Sequence, residues 1–403
     1  MYDAIVVGAR CAGSPTAMLL ARKGYRVLLV DRTTFPSDTM STHLIKPPGV
    51  NRLKRWGLLD TVLRAANCPP ISEVTFDSGP FSLTGTPPPM EGTAECYSPR
   101  RIQLDKVLVE AAVEAGAELR EGSVVREILT DGARVTGVRG QGKGGTTFTE
   151  EATIVVGADG LRSTVAHAVQ APAIRTNPTL TCAYYAYWSG IDLEHFTIHP
   201  REKRMLMAFP TNDGLTCVFV EWPKQEFRSF RSDVEGNFLK TVDLAPEMAE
   251  RVHAGKREGR FVGSVVLPNY LRKPYGPGWT LVGDAGYHKD PIVGEGITDA
   301  FRDAELLVEA IDAGSSGQLV LEEALAEYER RRNEVAISGL EDAREGASLE
   351  PPLPPEGSEE AALFAALQIN QEETNRFVGT IVGTVSEQEF FSPENVQRII
   401  SAA

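Results

Sequence analysis

Apolar and polar positions at the start of the chain alternate as expected for a strand, a helix and a second strand. Residues 3–7 form a short apolar run that ends in glycine, which predicts a buried strand of a parallel sheet. Residues 14–23 predict a helix, and a second apolar run, residues 25–30, ends at Asp31. Together these segments predict a βαβ unit.

The predicted helix has recognisable ends. Ser14 is expected to be its N-cap and Pro15 to occupy its first position, where a missing N–H is tolerated. Gly24 is expected to end the helix, because glycine readily adopts the left-handed backbone that closes many helices. The turn from Gly8 to Gly13 therefore joins a strand to a helix N-terminus.

Similar patterns continue along the chain, with one β-rich interruption. Residues 71–98 are rich in Pro, Gly, Ser and Thr and are expected to leave the first unit as an excursion. The later patterns are, in order, a helix leading into a strand at 100–122, strands at 123–140 and 146–156, a β-rich stretch at about 180–270, a strand within 279–286, and helices to the end with a Pro-rich break at 348–360.

These patterns predict an α/β fold with an inserted second domain. One α/β domain is expected to be assembled from three separate stretches, and a β-rich domain from two. The expected boundaries are 1–70, 99–178 and 278–345 for the α/β domain, 71–98 and 179–277 for the β-rich domain, and 346–403 for a helical C-terminal segment.

The composition narrows the class of protein. The 403-residue chain is 42% hydrophobic and 24% charged, which is ordinary for a soluble globular protein with a large core. Its net charge of −14 argues against nucleic acid or an anionic membrane as the main partner. Five scattered cysteines without a C-x-x-C pair indicate a reducing compartment, and neither a disulfide framework nor a zinc site. With no signal peptide and no apolar run of roughly 18 residues, we expect a cytoplasmic protein without membrane insertion.

Glycine-bearing turns carry the candidate chemistry, and the first lies at residues 8–13. Its sequence, Gly-Ala-Arg-Cys-Ala-Gly, has the outline of a dinucleotide-binding turn, with Arg10 in place of the usual middle glycine. Asp31, at the end of the second strand, stands where a carboxylate accepts a hydrogen bond from a ribose hydroxyl. Strand, turn, helix, strand and acid in register favour dinucleotide binding over a plain packing turn.

Two further turns follow apolar strands later in the chain. Asp159 and Gly160 place a carboxylate and a flexible backbone at a strand end, although alone this dipeptide is more often an ordinary turn. Gly283 and Asp284 end another strand, and the glycine-rich segment 291–296 then leads into a helix. Such an approach to a helix N-terminus suits an anion or a polarised ring oxygen.

In this order and context, the three turns resemble the FAD-binding triple of the p-hydroxybenzoate hydroxylase-like superfamily of FAD-dependent oxidoreductases. The superfamily includes class A flavin monooxygenases, geranylgeranyl-reductase-type enzymes and flavin-dependent halogenases, and the resemblance covers roughly residues 1–345. It implies a Rossmann-like FAD-binding domain of the glutathione reductase type, with an inserted β-rich substrate domain. FAD is the implied cofactor, and NAD(P)H the implied transient reductant.

Carried over position by position, the resemblance implies a set of cofactor contacts. The first turn would hold the FAD pyrophosphate, and Asp31 would bind the adenosine ribose. The Asp-Gly segment would serve FAD and the incoming NAD(P)H, and Asp284 would contact the ribityl chain. Arg101, in a family R-x-x-L-D pattern, would reach the region between ribityl chain and phosphate.

The remaining implied contacts involve the adenine and the flavin ring. Val125 would meet the adenine through its backbone, and the Pro-x-x-Gly-x-Gly segment would lie against the isoalloxazine, with the amides of Gly296 and Ile297 facing its pyrimidine carbonyl. The full implied set is Gly8, Arg10, Ala12, Gly13, Asp31, Arg32, Arg101, Val125, Asp159, Gly160, Gly283, Asp284, Pro291, Gly294, Gly296 and Ile297.

Two positions depart from the family pattern. Tyr287, followed by His288, stands where a histidine is usual, and Glu295 stands where glutamine is usual. An ionised Glu295 would oppose an anionic reduced flavin, so its side chain is expected to point to solvent.

The default expectation for the chemistry is hydroxylation. Family monooxygenases reduce FAD with NAD(P)H, form a flavin C4a-hydroperoxide with molecular oxygen and transfer one oxygen atom, which here implies a small aromatic or polyketide-like substrate. The halogenase segment W-x-W-x-I-P is absent, and Tyr185-x-Tyr187-Trp188 only loosely resembles the reductase segment Y-x-W-x-F-P. A flavin-dependent C–C reductase or dehydrogenase and a non-catalytic flavin-binding protein stay open as alternatives. A monomer or a homodimer is expected.

Candidate substrate and catalytic residues lie outside the three turns. Tyr185, Tyr187 and Met207 lie on predicted strands of the β-rich domain, where they line a pocket or simply pack in the core. His43 is the candidate acid–base or substrate-orienting group, and Lys46 the candidate contact for flavin or an acidic substrate. A loop histidine bonded to nearby backbone is the alternative interpretation of His43.

Arg10 also has two interpretations. Its Cβ must turn away from a bound pyrophosphate, which leaves the guanidinium free to pair with phosphate or cover the cofactor. Alternatively, it is a surface arginine that only avoids the ligand.

Overall fold

The computed structural model describes residues 1–350 and 354–402, and its strands form three sheets. In chain order the strands are β1 (Tyr2–Val7), β2 (Val27–Val30), β3 (Val74–Asp77), β4 (Ser82–Gly85), β5 (Glu118–Arg120), β6 (Val124–Asp131), β7 (Arg134–Gln141), β8 (Thr147–Gly157), β9 (Ala173–Asn177), β10 (Thr181–Ser189), β11 (Phe196–Arg201), β12 (Arg204–Pro210), β13 (Thr216–Pro223), β14 (Lys256–Ser264), β15 (Asn269–Arg272), β16 (Tyr275–Gly276), β17 (Trp279–Leu281) and β18 (Tyr287–His288).

The helices cover the sheets and close the chain. In chain order they are α1 (Gly13–Arg22), α2 (Pro47–Arg55), α3 (Leu59–Ala66), α4 (Arg101–Glu114), α5 (Thr164–Ala168), α6 (Phe227–Ser232), α7 (Val234–Val242), α8 (Pro246–Ala254), α9 (Gly296–Ser315), α10 (Leu321–Gly346), α11 (Glu359–Ile369), α12 (Gln371–Val382), α13 (Glu387–Phe390) and α14 (Pro393–Ser401). No helix within residues 1–350 and 354–402 combines the length and the apolar character that crossing a bilayer requires.

The first sheet is built on five parallel strands in the order β17-β8-β1-β2-β5. Val6 of β1 lies between Leu29 of β2 and Val156 of β8, and all three side chains are fully buried. Helices α1, α4 and α9 pack on one face, while α5 and the β6-β7 hairpin cover the other. Burial on both faces explains the nearly continuous apolar runs of these strands.

Helix α1 begins two residues earlier than the predicted cap implies, and the prediction of Ser14 as its N-cap is wrong. Ala12 is the N-cap without a side-chain hydrogen bond, so Pro15 is the third helical residue. A Cβ on Gly13 would lie only 1.8 Å from the carbonyl oxygen of Gly8, so the helix starts in direct contact with the preceding turn. Ser14 is buried in the first helical turn, and its hydroxyl has no hydrogen-bond partner among the described residues.

The second sheet has seven strands in the order β14-β10-β13-β12-β11-β3-β4. Strands β3 and β4, from the Pro- and Gly-rich excursion, extend one edge, and β3 pairs with β11 in parallel. The inner face packs against helices α11, α12 and α14, and the outer face against α6, α7 and α8. A small third sheet, β18-β15-β9, lies beside the last strand of the first sheet.

The expected β-rich stretch at about 180–270 contains three helices that the patterns did not predict. Helices α6–α8 fill residues 227–254 between β13 and β14. Phe238 and Val242, like Met248 and Val252, recur four residues apart and are buried against the outer face of the second sheet. Helical spacing over such short segments is easily mistaken for the irregular sequence between strands.

The C-terminal prediction of helices at 360–403 agrees with α11–α14. Each of these helices has a side-chain N-cap, supplied in turn by Ser358, Asn370, Ser386 and Ser392. Such caps satisfy backbone N–H groups that a helix leaves unpaired at its start. Of the Pro-rich break predicted at 348–360, residues 351–353 lie outside the described residues.

Candidate active site

The three glycine-bearing turns meet at the carboxyl ends of β1, β8 and β17. Gly8 has a φ of +104°, and a Cβ there would lie 2.3 Å from the carbonyl oxygen of Ala158. A Cβ on Gly283, whose φ is +61°, would lie 2.7 Å from the Cβ of Ala12. The structure thus brings the three sequence motifs together, at the edge where open α/β sheets bind ligands.

The N-terminus of α1 at this meeting point is suited to an anion. Ala12 provides no side-chain cap, and the first turn of the helix holds no acidic residue. The unbonded, fully buried hydroxyl of Ser14 adds a donor in the same turn. A helix N-terminus with free donors binds phosphate groups well, because its dipole and its N–H groups both favour negative charge.

Arg10 pairs with protein groups close to this helix end. Its guanidinium bonds the carboxylate of Asp105 and donates to Ser37 Oγ at 2.9 Å. Arg101 donates to the same carboxylate through Nε at 2.9 Å and Nη2 at 3.1 Å, and Cys11 Sγ lies 3.4 Å from it. Asp105 is completely buried, so the two arginines leave one net positive charge beside the anion-binding turn.

Of the two interpretations of Arg10, neither describes its main contact. The side chain is only 22% exposed, so it is not a free surface arginine, and its strongest partner is Asp105 rather than open space above the turn. The guanidinium also lies 5.4 Å from the ring centroid of Phe35. Arg10 therefore links the first turn to α4 and to the loop after β2.

Asp31 and the Asp-Gly segment both brace neighbouring turns. One carboxylate oxygen of Asp31 accepts from Ala9 N at 2.7 Å, and the other accepts from Thr33 N at 2.7 Å and Thr33 Oγ1 at 2.6 Å. Asp159 accepts from Ser163 Oγ at 2.5 Å and Thr164 N at 2.6 Å. Both carboxylates therefore stabilise the local backbone, in addition to any contact with a ligand.

The other predicted cofactor residues differ in exposure. Gly160, with a φ of +75°, faces open space, and Asp284 is exposed beside it at the strand ends. Val125 is buried on β6, and Ile297 is buried in the first turn of α9. Arg32 is exposed on the surface after β2.

The segment 291–296 forms a tight turn before α9. Gly294 has a φ of +63°, and a Cβ on it would lie 3.7 Å from Leu44, so the loop after β2 passes directly over this turn. A Cβ on Gly296 would meet nothing within 4 Å. The turn thus leaves backbone open on one side while Leu44 covers the other.

The Glu295 side chain was expected to point to solvent, but the structure pairs it with two lysines instead. Its carboxylate bonds Lys46 Nζ at 2.9 Å and Lys289 Nζ at 2.5 Å. Burial raises its pKa, but the two lysines outweigh burial and hold the pKa well below its usual range. The ionised acid is therefore neutralised by the two lysines. Lys289 also bonds Asp299 Oδ2 at 3.1 Å, so this cluster of two lysines and two acids carries no net charge.

His43 lies inside the loop that covers this turn. It has a φ of +48°, is 2% exposed and bonds Tyr187 Oη through Nε2 at 2.9 Å. Burial, helped by nearby Arg100, lowers the pKa of His43 to about 3. Tyr185 Oη accepts from Ser41 N at 3.2 Å. At neutral pH the histidine is an uncharged anchor, so an acid–base role there is not favoured.

An apolar cavity of about 220 Å³ lies between the second sheet and segment 291–296. Met207 lines this cavity as predicted, whereas Tyr185 and Tyr187 are not part of its wall. Their hydroxyl groups bond Ser41 and His43 of the covering loop instead. The wall consists of Thr42, Leu44, Lys46, Phe76, Phe196, Ile198, Met205, Met207, Phe209, Phe219, Pro291, Ile292, Val293, Gly294, Glu295, Asp342, Gly346, Ile381 and Glu387.

Sequence patterns missed several of these wall residues for different reasons. Phe219 is paired with Met207 on the neighbouring strand, and this pairing could not be assigned from the sequence of either strand alone. Ile381 and Glu387 come from C-terminal helices, and no local pattern connects them with this cavity. The helical C-terminus is therefore part of the pocket as well as part of the core.

A comparison with models of protein families shows to which family the chain belongs. The model of the family described as FAD binding domain matches residues 1–343. The chain belongs to the FAD binding domain family. FAD is thus the cofactor of this FAD-binding-domain protein, and the uncapped helix, the close glycine packing and the net positive charge beside it fit a dinucleotide pyrophosphate.

Curated relatives of this FAD-binding-domain protein include both reductases and monooxygenases. Digeranylgeranylglycerophospholipid reductase 1 of Methanopyrus kandleri is 30% identical over 370 residues, which make up 87% of this chain and 91% of the relative. Kynurenine 3-monooxygenase of Salinispora arenicola is 28% identical over 378 residues, with 85% of this chain and 80% of the relative covered. The FAD-binding-domain protein is accordingly an FAD-dependent oxidoreductase.

Solved structures show the same fold. The myxobacterial chondrochloren halogenase CndH superposes with a TM-score of 0.80 at 23% identity, covering 100% of this chain and 96% of its own. PqsL of P. aeruginosa, in complex with 2-aminobenzoylacetate, gives a TM-score of 0.72 at 21% identity, covering 94% and 99%. The predicted fold class, an α/β FAD-binding domain with a β-rich insertion and a helical C-terminal segment, is confirmed.

Proposed function

We propose that the protein is an NAD(P)H-consuming monooxygenase that hydroxylates a small, apolar aromatic or polyketide-like molecule with molecular oxygen. The observation that carries the proposal is the cavity of about 220 Å³, whose wall includes six aromatic or thioether side chains and the turn before α9. Apolar walls with few polar groups are typical of pockets for small organic ligands. Bound FAD supplies the redox chemistry, and the protein supplies orientation and electrostatics.

We assign the cofactor contacts as the turns suggest. The N-terminus of α1 and the backbone from Gly8 to Gly13 would hold the pyrophosphate, with Arg101 adding positive charge. Asp284 would contact the ribityl chain, and segment 291–296 with the first amides of α9 would hold the flavin ring. Asp31 remains the candidate for the ribose, in addition to its bonds to the first turn.

His43 and Lys46 act in this proposal by holding the cavity rather than by transferring protons. His43 anchors the covering loop through Tyr187, and Lys46 ties that loop to the turn through Glu295. The loop excludes water from the space beside the turn, which strengthens electrostatic interactions inside it. His43→Ala and Lys46→Ala are expected to keep FAD but to increase NAD(P)H oxidation that is not coupled to substrate.

The functional test uses the cavity itself. Met207→Trp fills the cavity floor, while Val266→Trp changes an exposed apolar residue outside it and serves as the control. With FAD bound, neutral aromatic compounds should stimulate NAD(P)H oxidation in the wild type and the control but not in Met207→Trp. Equal stimulation in all three proteins would show that the cavity is not the substrate site.

A second candidate is a flavin-dependent C–C reductase. It is supported by the 30% identity to the digeranylgeranylglycerophospholipid reductase, which spans most of both chains. The apolar cavity would also accept a hydrocarbon segment. This candidate predicts a product with two added hydrogens and no added oxygen.

A further inference from the structure

A second group of acids lies behind the cavity wall, between the seven-stranded sheet and the turn before α9. Thr181 of β10 and Glu221 of β13 lie on the same face of the sheet at diagonally neighbouring positions, because Thr181 is paired with Pro223. Thr181 Oγ1 bonds Asp290, which directly precedes Pro291. Glu221 and Asp290 are both completely buried. Because Asp290 is bonded to Thr181, its carboxylate is held beside the position that Glu221 occupies on the same face of the sheet.

Asp290 already holds the turn in place. One of its oxygens accepts from Thr181 Oγ1 at 2.6 Å, and the other accepts from Ile292 N at 3.2 Å. Its backbone N–H donates to Asn269 Oδ1 at 2.7 Å. Asp290 is thus the N-cap of the short turn Pro291–Val293, which forms part of the cavity wall.

Glu221, unlike Asp290, accepts no hydrogen bond from a neighbouring hydroxyl or backbone N–H group among the described residues. Neither of its carboxyl oxygens receives a hydrogen bond within the part of the chain that the structure describes. The titratable groups around the pair are Asp290 itself, the buried thiol of Cys182 and, beside Asp290, His288, whose Nδ1 bonds Pro268 O. Burial, followed by the neighbouring Asp290, raises the pKa of Glu221 well above its usual range.

Two adjacent buried carboxyl groups cannot both be ionised at low energetic cost, so one of them retains a proton. Asp290 receives bonds from a hydroxyl and a backbone N–H, which favour its ionised form. Glu221 receives none, which favours its protonated form. A protonated Glu221 becomes a donor, and the available acceptor is Asp290.

We propose that Glu221 is a positioning residue: it carries the shared proton, donates it in a hydrogen bond to Asp290, and so fixes the turn that forms the flavin-side wall of the cavity. No proton leaves the pair in this role. The proposal depends on the cavity wall and not on the choice between hydroxylation and reduction, so either reaction can fail its test while this inference stands.

The direct test observes the protonated carboxyl in the wild-type holoenzyme. Infrared spectra at neutral pH should contain the carbonyl stretching band of a buried, protonated carboxylic acid. Incorporation of ¹³C-carboxyl glutamate should shift this band, and Glu221→Gln should remove it. Absence of the band, or a shift with labelled aspartate only, would overturn the proposal because the proton would not reside on Glu221.

A second test separates positioning from simple packing. Glu221→Gln keeps a donor to Asp290, Glu221→Leu does not, and Glu250→Gln on the exposed face of α8 is the matched control. FAD affinity, followed by flavin fluorescence, should stay within about threefold of wild type in the Gln variants and fall at least tenfold in Glu221→Leu.

The pH dependence of FAD affinity completes this test. As rising pH removes the proton from the pair, wild type and Glu250→Gln should lose affinity, whereas Glu221→Gln should not, because its amide keeps its protons. An identical alkaline loss in Glu221→Gln, or full FAD affinity in Glu221→Leu, would contradict the positioning role.

Discussion

Replacing Arg10 and Asp105 in turn separates the structural role of the first turn from ligand binding. Arg10→Ala removes one charge-assisted bond to a buried carboxylate that keeps its two bonds from Arg101. Such a bond contributes about 1.5–3 kcal/mol, and the retained arginine reduces the loss to about 1–2 kcal/mol. Asp105→Asn instead leaves two close guanidinium groups without their shared carboxylate, which costs about 3–5 kcal/mol.

Urea unfolding of the FAD-free proteins measures these costs, and flavin fluorescence measures FAD affinity of the same variants. We expect Asp105→Asn to be clearly less stable than Arg10→Ala, with Arg10→Ala binding FAD within about tenfold of wild type, equivalent to about 1.4 kcal/mol. If Arg10→Ala keeps wild-type stability but loses FAD, the arginine is a phosphate ligand and the reasoning from its contacts is wrong.

Three further predictions follow from the geometry. Gly8→Ala should be purified without FAD, because its Cβ would lie 2.3 Å from a backbone oxygen at a φ of +104°, whereas Gly24→Ala, with a φ of +89° but no neighbour within 4 Å, should keep the cofactor; equal flavin content in the two would contradict this. His43→Gln should lose less stability than wild type when the pH is lowered. The pKa of His43 is about 6.5 in the unfolded chain and about 3 in the folded protein, so the stability that wild type has above pH 6.5 is lost as the pH falls toward 3. Parallel unfolding curves for the two proteins would show that the histidine is not buried and neutral. Phe364→Ala on α11 should destabilise the protein by about 3–5 kcal/mol, measured by urea unfolding, and an unchanged midpoint would mean that the C-terminal helices do not pack on the second sheet.

The parts that sequence predicted well are those fixed by local backbone chemistry. Turns that need glycine for a close approach, as at Gly8, Gly13 and Gly283, leave a signal in adjacent residues. The parallel strands leave continuous apolar runs because both faces are buried. These local signals placed the three turns and the α/β class correctly.

The parts that sequence missed depend on contacts between distant residues. The partner of Arg10, Asp105, lies 95 positions away, so Arg10 could not be assigned a role from its own turn. Tyr187 was predicted to line a pocket or to pack in the core, and alternation does not reveal that its hydroxyl bonds His43. Likewise, burial that neutralises His43 is a property of the whole loop and sheet, not of the sequence around it.

The measurement that tests the central claim most directly follows oxygen into product. The FAD-loaded protein is reduced without oxygen, mixed with neutral aromatic compounds and exposed to ¹⁸O₂, and products are analysed by mass spectrometry. The account predicts a product carrying one ¹⁸O atom, formed by wild type and not by Met207→Trp. A product without ¹⁸O that has gained two hydrogens would contradict it and identify the protein as a reductase.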